Sequence, residues 1–119
     1  MSTSGYTIYH TPTCGTSRRT LEILREAGIE PTLVLYQQDP PDLATLRALR
    51  DGLGQPARAL LREKEPLCAE LGLDDPDLDD EHILAAIAAH PKLFNRPVVV
   101  SPRGVRVCRP AEEVRVLLP

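Results

Sequence analysis

The chain has 119 residues, of which 42% are apolar and 26% charged, and this is enough for one globular domain with a hydrophobic core. The net charge of −3 and the 3% aromatic content argue against binding of nucleic acid, which requires basic surfaces and often stacked aromatic rings. The sequence has no signal or transit peptide pattern and no run of about 18 apolar residues, so we expect a cytoplasmic protein without membrane contact.

The N-terminal third predicts a β-α-β unit. Tyr6–Tyr9 is strand-like, a helical pattern runs from about Thr16 to Ala27, and Gly28 ends it. Thr32–Tyr36, in which Thr32 is followed by Leu-Val-Leu-Tyr, predicts a second, buried strand. The two strands should be parallel, because a helix connects them through a right-handed crossover.

The middle of the chain predicts several helices. Asp42 is a candidate N-cap of a helix that ends at Gly54, and the end of the acidic segment 74–81 is a candidate N-cap of a helix that stops at His90. Shorter helices are expected at about 56–62 and 66–71.

The C-terminal part predicts a β-hairpin followed by a short helix that opens at Pro110. Pro97–Val100 and Val105–Cys108 are its strands, and residues 101–104 form its turn. The order β-α-β, helices, β-β-α indicates an α/β, thioredoxin-like fold with a mixed four-stranded sheet. We expect a single domain, 1–119, with a helical insertion at about 42–90.

Cys14 is the strongest functional signal. It lies between the first strand and the first helix, in the string His10-Thr-Pro-Thr-Cys14-Gly-Thr-Ser-Arg18. The free N–H groups and the dipole of a helix N-terminus favour a thiolate over a thiol and can also hold an oxyanion. Arg18 and Arg19 add positive charge in the first turn, and His10 would add more if it were protonated. The position therefore indicates a nucleophile, although a lone cysteine is more often a small buried residue.

The other cysteines do not suggest a disulfide or a metal site. Cys68 and Cys108 form no Cys-x-x-Cys pair with Cys14, and three cysteines give no even framework. The histidines do not combine with the cysteines at zinc-site spacing, so we expect no metal.

Four motifs together resemble the arsenate reductases that are coupled to glutathione and glutaredoxin. They are His10-x3-Cys14-Gly-Thr-Ser-Arg18, Arg58-Ala-Leu-Leu-Arg62, Asn95-Arg96-Pro97-Val-Val-Val100 and Arg106-Val-Cys-Arg109-Pro110. The resemblance extends from about Tyr6 to Leu118. Each motif alone is weak, but their order and spacing are specific.

The resemblance implies a role for each matching residue. Cys14 matches the family's nucleophile. Arg62, Arg96 and Arg109 match its oxyanion-binding arginines, and His10, Ser17 and Arg18 match residues that support the thiolate. Cys68 is not part of the family pattern. Since thioredoxin-like folds place a cis-proline opposite the active-site thiol, we also expect the Arg96–Pro97 peptide to be cis.

The implied reaction is the reduction of arsenate to arsenite through a Cys14 thiol–arsenate intermediate. Glutathione is the implied co-substrate, glutaredoxin the implied protein partner, and no bound cofactor is expected. Arginine suits such a substrate, because its planar guanidinium stays charged and donates two parallel hydrogen bonds to an oxyanion.

Structural roles remain open for several of these residues. Arg62 would be a surface charge on a helix, Arg109 a cap of strand carbonyls, Ser17 an ordinary first-turn residue and His10 a satisfied polar group at a strand end. We interpret Arg58 and Arg103 as solvated charges, and His82 and His90 as helix-terminal residues without a functional role.

Two other functions remain open at this stage. Cys14-Gly-Thr-Ser17 has the Cys-x-x-Ser form of monothiol glutaredoxins, thiol carriers that lack the insertion and the three arginines. Spx-type transcription regulators share the fold and bind RNA polymerase, but they commonly carry Cys where this chain has Ser17. A reductase of the low-molecular-weight phosphatase type is disfavoured, because it needs Cys-x5-Arg and position 20 is Thr.

Overall fold

A computed structural model describes residues 5–119, which fall into two compact units. One unit runs through Asp39 and resumes at Arg96, and the other is Pro40–Asn95. Within residues 5–119, no helix is both long and apolar enough to cross a membrane.

The first unit is built on a mixed four-stranded sheet, as predicted. The strand order is β2-β1-β3-β4, with β1 parallel to β2 and antiparallel to β3, and with β3 antiparallel to β4. In the register, Tyr9 lies opposite Val34 on one side and Val98 on the other. The strands are β1 (Thr7–His10), β2 (Thr32–Leu35), β3 (Val98–Ser101) and β4 (Gly104–Val107).

The prediction that the second strand is buried is wrong. β2 lies at an edge of the sheet, where Thr32 is exposed and Leu33 keeps 41% of its surface accessible. A run of apolar residues predicts a buried strand only if neighbouring elements cover both faces and both edges of that strand. β2 has a neighbouring strand on one edge only, so part of it remains accessible to solvent.

The core of this unit lies between the sheet and two helical segments. Helix α1 (Gly15–Glu26) and a 3-10 helix (Ala111–Leu117) contribute buried apolar residues to one cluster with the central strands. The Tyr6 hydroxyl donates to the Leu117 carbonyl and so ties the start of the sheet to this last helix. The chain leaves α1 through Gly28, whose positive φ of 83° is accessible to glycine without a steric penalty. The fully buried members of the cluster are Ile8, Leu24, Val99, Cys108 and Val114.

The second unit is helical, as predicted for the insertion. Asp42 accepts a hydrogen bond from the Thr45 N–H at 2.8 Å, and Asp79 accepts one from the His82 N–H at 2.8 Å, so both expected N-caps are present. The helices are α2 (Leu43–Leu53), α3 (Pro66–Glu70) and α4 (Asp80–Ala89), with 3-10 segments at Ala57–Leu60 and Pro91–Leu93.

The predicted helix at 56–62 is shorter than expected. It is a single 3-10 turn that ends at Leu60, after which Leu61 forms an isolated antiparallel bridge with Phe94. Arg62 therefore lies outside any helix, and its backbone N–H donates to the Leu93 carbonyl at 2.7 Å.

Candidate active site

Cys14 occupies the N-cap position of α1, as its place in the sequence predicted. Its backbone is extended, with φ −101° and ψ 119°, and its N–H donates to the Thr11 carbonyl at 3.1 Å. The first turn of α1 contains no acidic residue. Because Cys14 is the N-cap, its half-exposed thiol lies at the positive end of the helix dipole, and no carboxylate in the first turn offsets that charge.

The surroundings of Cys14 favour its thiolate. Burial by itself raises the pKa of this thiol, but the Ser17 backbone N–H and the guanidinium groups of Arg96 and Arg109 donate hydrogen bonds that lower it. The Thr16 N–H contributes in the same direction. The donors prevail, so the pKa of Cys14 lies below its ordinary value, and more of the thiol is ionised at neutral pH.

Arg96 and Arg109 come together at the sulfur. Arg109 Nη1 is 3.9 Å from Cys14 Sγ and donates to the Arg96 carbonyl at 2.9 Å, so the backbone at Arg96 orients the second guanidinium. Both arginines precede cis-prolines, Pro97 and Pro110. The prediction of a cis Arg96–Pro97 peptide is confirmed, whereas the second cis peptide was not anticipated.

His10 and Ser17 form a buried polar pair below the Cys14 loop. His10 Nδ1 lies 2.5 Å from Ser17 Oγ, which also accepts from the Thr11 N–H at 3.2 Å. Burial lowers the pKa of His10, and the charges of Arg25 and Arg18 lower it further. The lowered pKa favours the neutral form of His10 at pH 7, so the condition under which this residue would add positive charge to the site is not favoured. Its contact with Ser17 links β1 to the first turn of α1.

Arg18 lies beside the loop on the outer side of the molecule. Its side chain is exposed, and Nη1 donates to the Pro12 carbonyl at 2.7 Å. The guanidinium thus holds the backbone two residues before Cys14. Its charge also reaches His10, whose pKa it lowers.

Arg62 belongs to the other compact unit. Its Nη1 lies 3.5 Å from Glu65 Oε2, and its side chain is 39% exposed. The oxyanion-binding role that the family resemblance implies for Arg62 remains a prediction.

The remaining two cysteines are buried. Cys108 is fully buried, and this burial raises its pKa to about 12. Cys68 is also buried, and burial together with nearby carboxylates raises its pKa. Neither thiol is ionised at neutral pH, so neither has the reactivity of Cys14. Residues 5–119 contain no cluster of three or more histidine, cysteine or acidic side chains that could hold a metal ion.

Two residues have roles that the sequence did not reveal. Arg58, interpreted as a solvated charge, donates to the Leu73 carbonyl at 2.8 Å and also to the Asp75 carbonyl, so it anchors the loop after α3. Thr11 is 2% exposed and connects the Cys14 loop to Ser17 through its N–H. No local sequence pattern marks such long-range or backbone contacts.

Comparison with known proteins gives a consistent result. The profile of a family described as the ArsC family matches residues 9–117. A protein named arsenate reductase from Rhizobium meliloti (strain 1021) is 53% identical over 113 residues, which cover 95% of this chain and 81% of that protein. An uncharacterized protein, YfgD, from Escherichia coli (strain K12) is 48% identical over 108 residues, covering 90% of this chain and 91% of that protein.

A solved structure has the same fold. The arsenate reductase from Vibrio cholerae superposes with a TM-score of 0.92 at 41% identity, and the match covers 97% of this chain and 98% of that one. The predicted thioredoxin-like α/β fold is therefore confirmed.

Proposed function

This chain belongs to the ArsC family, and from that membership and the Cys14 site we propose that it is an oxidoreductase that reduces arsenate to arsenite. The observation that carries the proposal is the Cys14 sulfur at the N-terminus of α1 with the Arg109 guanidinium 3.9 Å away. This arrangement combines a nucleophile with groups that bind an oxyanion.

Binding of the substrate is the first step. Arsenate is a tetrahedral oxyanion with negative charge near neutral pH, and Arg96 and Arg109 offer fixed, permanently charged donors beside the sulfur. The open N–H groups of the first turn of α1 can donate hydrogen bonds to another oxygen of arsenate. The part of Arg62 as a third binding arginine rests on the family resemblance.

Covalent attack follows. The Cys14 thiolate forms a sulfur–arsenic bond, and an oxygen of arsenate leaves as water after taking up protons. Arginines that already contact the sulfur stabilise the negative charge that develops on the remaining oxygens. His10 and Ser17 support this step by holding the loop and the helix in register, and Arg18 does so by holding the Pro12 carbonyl.

Two external thiols complete the reduction. Glutathione attacks the arsenic bound to Cys14 and displaces a second oxygen as water. The thiol of glutaredoxin then attacks the glutathione sulfur, so a glutathione–glutaredoxin disulfide leaves and arsenic gains two electrons. Hydrolysis releases arsenite and restores the Cys14 thiolate. This scheme needs no resident cofactor, no nucleic acid and no membrane, and we place it in the cytoplasm.

External thiols are favoured over an internal one by the state of the other cysteines. Cys108 is fully buried, with a pKa of about 12, and position 17, where a Cys-x-x-Cys motif would put a second thiol, is Ser. A buried, protonated thiol is a poor partner for disulfide exchange.

A coupled assay tests the proposal. NADPH oxidation is followed with arsenate, glutathione, glutaredoxin and glutathione reductase present. We expect oxidation that depends on arsenate and disappears when either glutaredoxin or the ArsC chain is omitted. Oxidation that proceeds equally without glutaredoxin would contradict the proposed coupling while leaving arsenate reduction in place.

A further inference from the structure

We propose that Glu65 is a positioning residue for Arg62 in arsenate binding. The proposal rests on the proposed function, because it assigns a role to the surroundings of one of its binding arginines. Its structural basis lies entirely within the unit Pro40–Asn95.

Glu65 is held between two cations. Its Oε2 lies 3.5 Å from Arg62 Nη1, and its Oε1 lies 3.7 Å from Lys92 Nζ. The Glu65 side chain is only 16% exposed, whereas Arg62 is 39% and Lys92 is 59% exposed. The Glu65 carboxylate is mostly shielded from water and has a cation near each oxygen. It therefore restricts the side-chain conformations of these cations more than a fully exposed carboxylate would.

The backbone fixes the distance between Arg62 and Glu65. The Arg62 N–H donates to the Leu93 carbonyl at 2.7 Å, and the Glu65 N–H donates to the Arg62 carbonyl at 3.1 Å. The first of these bonds belongs to the antiparallel bridge between Leu61 and Phe94, whose other hydrogen bond runs from the Asn95 N–H to the Leu60 carbonyl at 2.8 Å. The two side chains therefore project from a tight, anchored turn, and the carboxylate limits the rotamers of the longer arginine.

Glu65 has no other evident task in this turn. It occupies the N-cap position of α3, yet its side chain forms no capping hydrogen bond there. Its backbone carbonyl accepts from the Cys68 N–H at 2.9 Å, and this bond does not depend on the side chain. The carboxylate therefore contacts Arg62 and Lys92 and does not cap α3.

Orientation of Arg62 has a consequence for binding. An unrestrained arginine side chain loses conformational entropy when it binds an oxyanion. An arginine whose side chain is already restrained loses less entropy on binding. Glu65 also offsets part of the positive charge of Arg62, which weakens the attraction for arsenate, whereas restraint of the Arg62 side chain strengthens binding. We infer that orientation prevails, because bidentate binding of an oxyanion depends on the direction of the guanidinium plane.

The experiment is a double-mutant cycle between Glu65 and Arg62 with two readouts. The first is the KM for arsenate in the coupled assay. The second is the Kd for arsenate of the corresponding Cys14→Ser proteins, measured by titration calorimetry, since these proteins bind arsenate without forming the sulfur–arsenic bond. Glu63→Ala is the matched control, because this exposed glutamate is the direct neighbour of Arg62 and forms no ion pair with it in the described structure.

We expect Glu65→Ala to raise both KM and Kd about five- to tenfold, as is typical for the loss of a directly coupled partner. We expect no such rise when Glu65→Ala is introduced into the Arg62→Ala protein. Glu65→Asp, which keeps the carboxylate, should raise KM and Kd less than Glu65→Ala does. Glu63→Ala should stay within about twofold of the parent, and circular dichroism should show that every variant is folded.

The contradictory results are separable. Unchanged or lowered KM and Kd in Glu65→Ala, or an equal rise with and without Arg62, would overturn the positioning role. Absence of arsenate reduction by the unaltered protein would instead overturn the proposed function itself. An Arg62→Ala protein that binds arsenate normally would remove Arg62 from the site and Glu65 with it.

Discussion

The reactivity of Cys14 is a balance between burial and hydrogen-bond donors. Burial disfavours the charged sulfur, and the donors that reverse this effect come from two sources, the first turn of α1 and the paired guanidinium groups of Arg96 and Arg109. The sequence predicted the first source from the position of Cys14 before a helix. The second source was implied by the family resemblance, because no local pattern reveals that residues about 80 to 95 positions away reach the same sulfur.

The pH dependence of Cys14 alkylation tests this balance. We expect the midpoint of the iodoacetamide reaction, followed by mass spectrometry, to lie below about 8.5, the ordinary thiol pKa. Arg109→Ala removes a donor to the thiolate and should move the midpoint to higher pH. The control is Arg103→Ala, which alters an exposed residue in the turn between β3 and β4. A midpoint at or above 8.5 in the unaltered protein would exclude an activated thiolate.

The other two cysteines should be dispensable for turnover. Replacing both Cys68 and Cys108 with Ala should leave most glutaredoxin-coupled activity, because both thiols are buried and have raised pKa values. Activity per folded protein is the relevant measure, since two small cavities lower stability. Activity that is driven by thioredoxin alone and is lost in this double variant would indicate an intramolecular disulfide mechanism.

His10 should make the fold sensitive to mild acid. Its pKa is lowered in the folded state, so the unfolded chain, with a pKa of about 6.5 for this group, takes up a proton at higher pH. The stability that neutral His10 contributes is thus complete above about pH 6.5 and is lost progressively as the pH falls further. Urea unfolding at pH 7.5 and 5.5 should show a smaller loss of stability in His10→Gln than in the parent.

A Cys14→Ser background is needed in this experiment, because ionisation of Cys14 also contributes to the pH dependence. If both proteins lose the same stability between the two pH values, His10 is not the group responsible.

At the level of elements, local signals predicted the helix ends well. N-caps were expected at Asp42 and at the end of the acidic segment 74–81, and Asp42 and Asp79 each accept a hydrogen bond from a backbone N–H at 2.8 Å. Gly54 was expected to end α2, and it adopts the left-handed conformation with φ 69°. These features depend on residues close in sequence, which is why the sequence alone was sufficient.

The caps allow a direct stability test. Asp42→Ala and Asp79→Ala should each lower the free energy of unfolding by about 1 kcal/mol, the typical contribution of a capping side chain. Asp74→Ala, an exposed aspartate in the acidic segment, should change it by less than about 0.5 kcal/mol. Equal effects of all three substitutions in urea unfolding would show that the caps do not stabilise α2 and α4.

Features that depend on distant parts of the chain were harder to predict. The burial of β2 was overestimated, because its place at the edge of the sheet follows from strand order and not from its own apolar residues. The structural role of Arg58 was not predicted, because the carbonyls of Leu73 and Asp75 to which it donates lie 15 and 17 residues away in the sequence.

For the whole molecule, the order of elements predicted the fold class, and the combination of motifs predicted the family. Both hold over nearly the full chain, from residue 9 to residue 117. Cys14, Arg96 and Arg109 belong to one compact unit and Arg62 belongs to the other, an assignment that depends on long-range contacts and that no sequence pattern predicted.

The central claim is that Cys14 reduces arsenate with electrons from glutathione and glutaredoxin. The most direct test is to measure arsenite itself, by chromatography with arsenic-specific detection, after the protein has been incubated with arsenate, glutathione and glutaredoxin. We predict multiple turnovers for the unaltered protein and none above background for Cys14→Ser, because a serine hydroxyl is not ionised at neutral pH. Arsenite formation by Cys14→Ser at the rate of the unaltered protein would contradict the claim.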